Sequence, residues 1–225
     1  MPTAFHDLAR AKIGSRELKI LTKMPRFVSN LFPTFTPPGY KISHIRQYQF
    51  AAKFIKNKKV LDAASGTGYG SEILRVNGNQ VVGIDINPEN IRFARATFSS
   101  NQYLVANMEN LHFLSDEEFD AAVSIQTIEH LWYPTKAIKE IYRILKSNGL
   151  FIGSIPANFK HIMPPDVEGL NAYLFNDLQN ILLSQFQKIR WFYHFLHTNN
   201  IQSVTKEWLK KIKRHSGDFM FITTK

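Results

Sequence analysis

Between residues 59 and 155 short apolar runs alternate with amphipathic stretches, and that rhythm sets the first expectations. Residues 59–63, 80–85, 102–106, 119–126 and 150–155 are apolar runs of strand length. Residues 42–56 and 69–76 have helical spacing, and Asn77-Gly78 supplies a left-handed cap for the second. Asn87 is placed to cap a helix with Pro88 at its first position, and Ile91, Ala94 and Phe98 form its inner stripe. A further helix starts near Pro134, buries Ala137, Ile138, Ile141 and Leu145, and is expected to end at Asn148-Gly149. Strands and helices in this order predict right-handed βαβ units on a parallel sheet.

The flanks break the rhythm. Downstream, a helical stretch (170–185) leads to strand-like residues 188–193, a polar basic segment, and a last strand at 219–223. Upstream, residues 16–32 carry apolar side chains at helical spacing with Arg16, Lys19, Lys23 and Arg26 among them, and Pro25 interrupts the pattern. Pro33, Pro37, Pro38 and Gly39 then punctuate the chain. The expected division is a basic helical extension or lid at 1–39 and one α/β domain at 40–225. The 16–32 segment fits either a helix lying over a ligand cleft or peripheral contact with a membrane surface.

Composition narrows the chemistry. With no cysteine, disulfides, thiolate metal sites and cysteine nucleophiles are excluded, and a reducing, cytoplasmic setting is expected. No apolar run reaches the ~18 residues of a membrane span. The net charge of +10 is unevenly spread: residues 1–60 carry +10, residues 61–150 carry −4 and residues 151–225 carry +4. The acidic middle third holds the Gly-rich turn, and the basic flanks suit an anionic partner such as phosphate, nucleic acid or lipid headgroups. The histidines show no metal-ligand spacing with nearby carboxylates beyond the loose pair Glu129-His130, so no metal is expected.

In an open parallel sheet, ligands sit beyond the carboxyl ends of the strands where the strand order reverses. The first strand ends in Asp62 and runs into Ala63, Ala64, Ser65, Gly66, Thr67, Gly68, Tyr69 and Gly70. The G-x-G-x-G spacing is not the G-x-G-x-x-G that seats a dinucleotide pyrophosphate. A carboxylate at Asp62 would repel a pyrophosphate but suits a cationic amino acid group. Asp85 ends the second strand, where a carboxylate can accept from both hydroxyls of a ribose. A ribose without pyrophosphate, next to a cation, describes S-adenosylmethionine (SAM) better than NAD.

These segments, with Val82-Gly83-Ile84-Asp85, Ile128-Glu129-His130-Leu131 and Arg143 to Gly149, resemble the sequential motifs of class I SAM-dependent methyltransferases over roughly residues 40–195. The nearest flavour is the branch with quinone-biosynthesis and glycan-modifying enzymes. The resemblance implies a Rossmann-like three-layer sandwich whose seven-stranded, mostly parallel sheet ends in an antiparallel hairpin. It implies SAM as cofactor and S-adenosylhomocysteine as product. Asp62, Ala64, Gly66, Thr67 and Gly68 would surround the methionine part, Asp85 the ribose, and Ile86, Asn107 and Met108 the adenine, with Gln126 near the amino acid group.

Three departures from the family pattern stand out. Ala64 replaces a commoner glycine, an exchange compatible with negative φ there. Asn107 replaces an aspartate, and its carbonyl oxygen can still accept from an adenine amino group. Gln47 stands where relatives often carry an arginine, leaving Arg46 or Tyr48 to compensate beside His44.

For catalysis, an oxygen acceptor needs a base, and His130 is the candidate best placed in sequence, ahead of His161 and His194. The expected reaction is methyl transfer to a small-molecule acceptor, at an oxygen of a sugar, glycan precursor or lipid-linked metabolite. RNA methylation along the basic flanks, and a non-catalytic SAM-binding subunit, are the alternatives.

Overall fold

The computed structural model describes residues 38–157, 175–196, 200–211 and 217–225. The expected 16–32 helix, nearly all of the proposed lid and His161 lie outside the described residues. In chain order the elements are α1 (Pro38–Ala52), β1 (Lys59–Ala63), α2 (Tyr69–Arg75), β2 (Gln80–Asp85), α3 (Pro88–Thr97), β3 (Gln102–Val105) and β4 (Phe119–Ile125). There follow a 3₁₀ turn (Ile128–His130), α4 (Pro134–Ile144), β5 (Leu145–Pro156), α5 (Phe175–Leu183), β6 (Ile189–Phe195), β7 (Asn200–Ser203), α6 (Lys206–Lys211) and β8 (Gly217–Thr224).

The strands form one sheet in the order β3-β2-β1-β4-β5-β8-β6-β7. β1, β2, β3, β4 and β5 pair in parallel, and β8 enters antiparallel between β5 and β6. The α/β sandwich and its terminal antiparallel hairpin are as the resemblance implies. The sheet has eight strands, however, rather than seven. β7 pairs with the outer edge of β6, from Phe192 opposite Ser203 to Phe195 opposite Asn200. Its sequence, Asn-Ile-Gln-Ser, is polar and mostly exposed, so it lacks the period-2 burial that marks a strand in sequence.

Alternate residues of each strand enter opposite layers. Leu61, Ile84, Phe151 and Phe221 pack with α4 and α5 on one face; Val60, Val81, Val123 and Ile152 pack with α1, α2 and α3 on the other. α1 begins at Pro38, so the expected chain break is instead a proline in a first turn, where its missing N–H costs nothing. α4 stops at Ile144, earlier than expected. Leu145 is buried as a strand residue opposite Phe119, and Asn148, with φ of 64°, turns the chain within β5. A helical C-cap and a bulged strand share the Asn-Gly signal, and pairing with β4 decides between them.

Where β1 ends, the chain turns through three left-handed residues: Ala64 at φ 66°, Gly66 at φ 54° and Gly68 at φ 85°. Ala64 therefore lacks the negative φ that would make an alanine tolerable there without strain. A β-carbon in this region costs roughly 1–2 kcal/mol, held in place by Ser65 N–H donating to the Ile84 carbonyl at 2.7 Å. Replacing Ala64 by glycine removes that strain but adds entropy to the unfolded chain. Ala64→Gly is expected to stabilise the protein by up to about 1 kcal/mol, read as a higher denaturant midpoint with unchanged m-value.

Candidate functional site

Strand order reverses between β1 and β4, and a cleft of about 480 Å³ opens there beyond the strand ends. That volume lies in the range of small-ligand sites. The turn 64–67 forms its floor, Asp85 and Ile86 one wall, Asn107 and Met108 another, and Gln126, His130 and Tyr48 the remainder.

Asp85 is buried yet presents its carboxylate to the cleft. One oxygen accepts the Gly66 N–H at 2.9 Å; the other accepts the Asn87 N–H at 2.9 Å and the Asn90 side-chain amide at 3.1 Å. The oxygen that accepts from Gly66 keeps one acceptor site, whereas the other already takes two donors. A β-carbon built on Gly66 meets nothing within 4 Å, so open space lies above the turn. Beside it, the buried hydroxyls of Ser65 and Thr67 find no partner among the described residues. Buried hydroxyls without partners are costly, and here they border a cleft.

Two expected residues lie behind the wall. Asp62 is fully buried, its oxygens accepting from the Tyr48 hydroxyl at 2.9 Å and the Ser71 hydroxyl at 2.7 Å. Burial pushes its pKa up to about 7, against the lowering effect of those two bonds. Gly68 caps α2 and accepts from the Tyr103 hydroxyl at 3.2 Å; a side chain there would collide with Tyr103 and Ala94. Both shape the turn instead of lining the cleft, because strand alternation aims Asp62 into the α1–α2 layer.

Asn107 lines the cleft with its carbonyl oxygen engaged by the Glu109 N–H at 2.9 Å, which leaves that oxygen one lone pair for an adenine amine. Arg46 bonds Gln49 at 3.2 Å on the flank of α1, away from the cleft, and the Tyr48 hydroxyl is spent on Asp62.

On the open side stand His44 and His130. The His44 ring meets the Tyr69 hydroxyl at 3.2 Å; burial lowers its pKa, with Asp218 opposing and His194 and His130 assisting. His130 is half-exposed, partial burial lowers its pKa, and its nearest Glu129 oxygen is 4.0 Å away, beyond a hydrogen bond. His194 is fully buried against Asp218 at 2.9 Å and does not line the cleft. Sequence reading did not select His44, Glu109 or Trp132 as cleft residues. His44 alone carried a signal, through its place beside Gln47 and Tyr48. Trp132, 80% exposed at the rim, is indistinguishable in sequence from a packing aromatic. Among the described residues, no cluster of three or more His, Cys, Asp or Glu could hold a metal ion.

Residues 61–153 match a family model described as a methyltransferase domain. The Mycobacterium tuberculosis protein named "Probable S-adenosylmethionine-dependent methyltransferase Rv3030" is 31% identical over 109 residues, 48% of this chain and 39% of that protein. The ubiquinone biosynthesis O-methyltransferase of Xanthomonas oryzae is 34% identical over 131 residues, 54% of this chain and 55% of its own length. The chain thus matches about two fifths to about half of the length of these relatives. A SAM-dependent methyltransferase from Thermotoga maritima superposes with a TM-score of 0.69 over 89% of this chain and 97% of its own, at 19% identity, a likeness of fold alone.

Glu129 offers a test of the site's electrostatics. It is buried, one carboxyl oxygen has no partner among the described residues, and burial, with the Asp218 charge assisting, pushes its pKa up to about 8. A carboxyl whose folded pKa is raised contributes stability that is fully present below its unfolded pKa and lost as pH rises through about 8. Glu129→Gln removes that dependence. The variant's melting temperature is expected to gain on the parent's steadily between mildly acidic pH and about pH 8; parallel curves would contradict it.

Proposed function

We propose, for a chain that carries a class I SAM-dependent methyltransferase domain, that it transfers the SAM methyl group to a small-molecule acceptor. The observation that carries this reading is the cleft at the switch point. It combines a ribose-competent carboxylate at Asp85, a left-handed turn with open space above Gly66, and two unpartnered hydroxyls at Ser65 and Thr67. These groups fit SAM. Asp85 would hold a ribose hydroxyl, Ile86, Asn107 and Met108 the adenine, and Ala64, Gly66 and Thr67 the methionine end. Asp62 and Gly68 would act on that end indirectly, by holding the turn.

When bound, SAM supplies an electrophilic methyl group on a sulfonium whose thioether leaves without an acid. The protein's part is to align the acceptor and to take its proton. We assign the base role to His130, whose lowered pKa keeps the ring neutral near pH 7. A hydroxyl acceptor, on a sugar, glycan precursor or lipid-linked metabolite, is the chemistry such a base serves. The described cleft walls carry the carboxylates of Asp85 and Glu109 and, among the described residues, no Lys or Arg. This favours an uncharged reacting end, with any anionic part of the acceptor reaching toward the basic flanks.

Transfer from radiolabelled SAM to metabolite fractions tests the activity; tight SAM binding with no labelled product in any fraction would favour a non-catalytic role. Asp85→Ala is expected to weaken SAM binding by about 1–3 kcal/mol, since charge-assisted hydrogen bonds are lost; unchanged calorimetric affinity in the folded variant would overturn the ribose assignment. His130→Ala is expected to slow transfer by about 10²–10⁴-fold with SAM affinity intact. Turnover within a few-fold of the parent's would remove His130 from the base role.

A further inference from the structure

Beneath α1 lies a polar seam that the reaction as described does not use. His194 and Asp218 are direct partners across β6 and β8, both buried, with the ring Nδ1 2.9 Å from Asp218 Oδ2. The same oxygen accepts from Gln47 Nε2 at 2.8 Å and from the Ser43 hydroxyl at 3.2 Å. The other end of Gln47, Oε1, accepts from the Ser154 hydroxyl and from Gln126 Nε2 at 3.4 Å. Gln126 Nε2 also reaches Ser154 Oγ at 3.3 Å, and the Gln126 N–H donates to the Ser154 carbonyl at 3.1 Å. Gln126 itself sits at φ 52° and lines the cleft.

Burying a carboxylate, an imidazole, an amide and two hydroxyls is not a route to stability, because apolar side chains of similar volume would do as well or better. What the seam does have is direction. A carboxylate only accepts, so Gln47 must turn its NH₂ toward Asp218. Its carbonyl oxygen then faces the other way and demands donors. Ser154 supplies one, and Gln126 meets the same demand with its own NH₂. The Gln126 contacts are long, but the reversed amide would set its oxygen against Gln47 Oε1. Among the described residues Gln126 Oε1 has no hydrogen-bond partner.

We infer that Asp218, acting through Gln47, fixes the orientation of the Gln126 amide so that Oε1 faces the cleft as an acceptor for the ammonium of the SAM amino acid moiety. Asp218 and Gln47 are positioning residues, and Gln126 is the group that touches the cofactor. The inference rests on the SAM reading above and names the side chain and the polarity that reading leaves open. It also gives Gln47 a role where the family pattern has an arginine: the seam needs a group that donates at one end and accepts at the other, which a guanidinium cannot do.

The test is calorimetric and needs no acceptor. Parent and variants are titrated with S-adenosylhomocysteine and with its analogue lacking the α-amino group. The parent is expected to prefer the amine by about tenfold or more. In Gln126→Leu the preference should fall to within about twofold. Gln47→Met keeps the volume but loses the polarity, and should lose most of the preference too. A merely structural defect would weaken both ligands alike and leave the ratio unchanged. An unchanged ratio in both variants overturns the inference, whereas a parent that binds neither ligand removes the cofactor reading and this inference with it.

Discussion

The sharp turn at the end of β1 is the constraint on which the site depends. Three of its residues adopt left-handed backbone, and two of its backbone N–H groups fasten it to the neighbouring strand: Ser65 N–H to the Ile84 carbonyl, and Gly66 N–H to the Asp85 side-chain carboxylate. The second bond joins the turn to the group expected to bind ribose, so the floor and one wall of the cleft are fixed together. Asp62 and Gly68 reinforce the turn from behind, the first by tying Tyr48 and Ser71 together, the second by opening α2 against Tyr103. A preorganised turn of this kind spends conformational strain once, at folding, and leaves little to spend on binding.

Electrostatics follow from the same arrangement. Carboxylates at Asp85 and Glu109 line the cleft, while Asp62 and Glu129 lie in the buried shell around it, their pKa values raised by burial. A sulfonium and an ammonium entering such a place meet acceptors and carboxyl groups on several sides. The product is a neutral thioether and lacks the sulfonium part of that attraction. On the proposed reading, the cleft would hold the charged cofactor more firmly than what remains after transfer.

Much of this was legible in the sequence. The alternation of apolar runs with capped helices gave the layers, and Asn87-Pro88 and Pro134 marked helix starts correctly. Asp85, Gly66, Thr67, Ile86, Met108 and Gln126 could be picked as cleft residues because they lie at or just beyond the carboxyl ends of the parallel strands. What could not be read has physical reasons. Asp62 looks like a ligand-facing carboxylate until strand alternation turns it inward. The backbone sign at Ala64 has no side-chain signature. β7 is too polar and too short to announce itself, and the His194–Asp218 seam joins residues far apart in the chain, which only the antiparallel pairing of β6 and β8 brings together.

The central claim is that the cleft is built for an adenosyl cofactor without a pyrophosphate. Isothermal titration of the protein with SAM and, separately, with NAD tests it most directly. Saturable one-to-one binding of SAM, with no heat of binding from NAD at the same concentrations, is the predicted result. Binding of NAD with none of SAM would contradict the account.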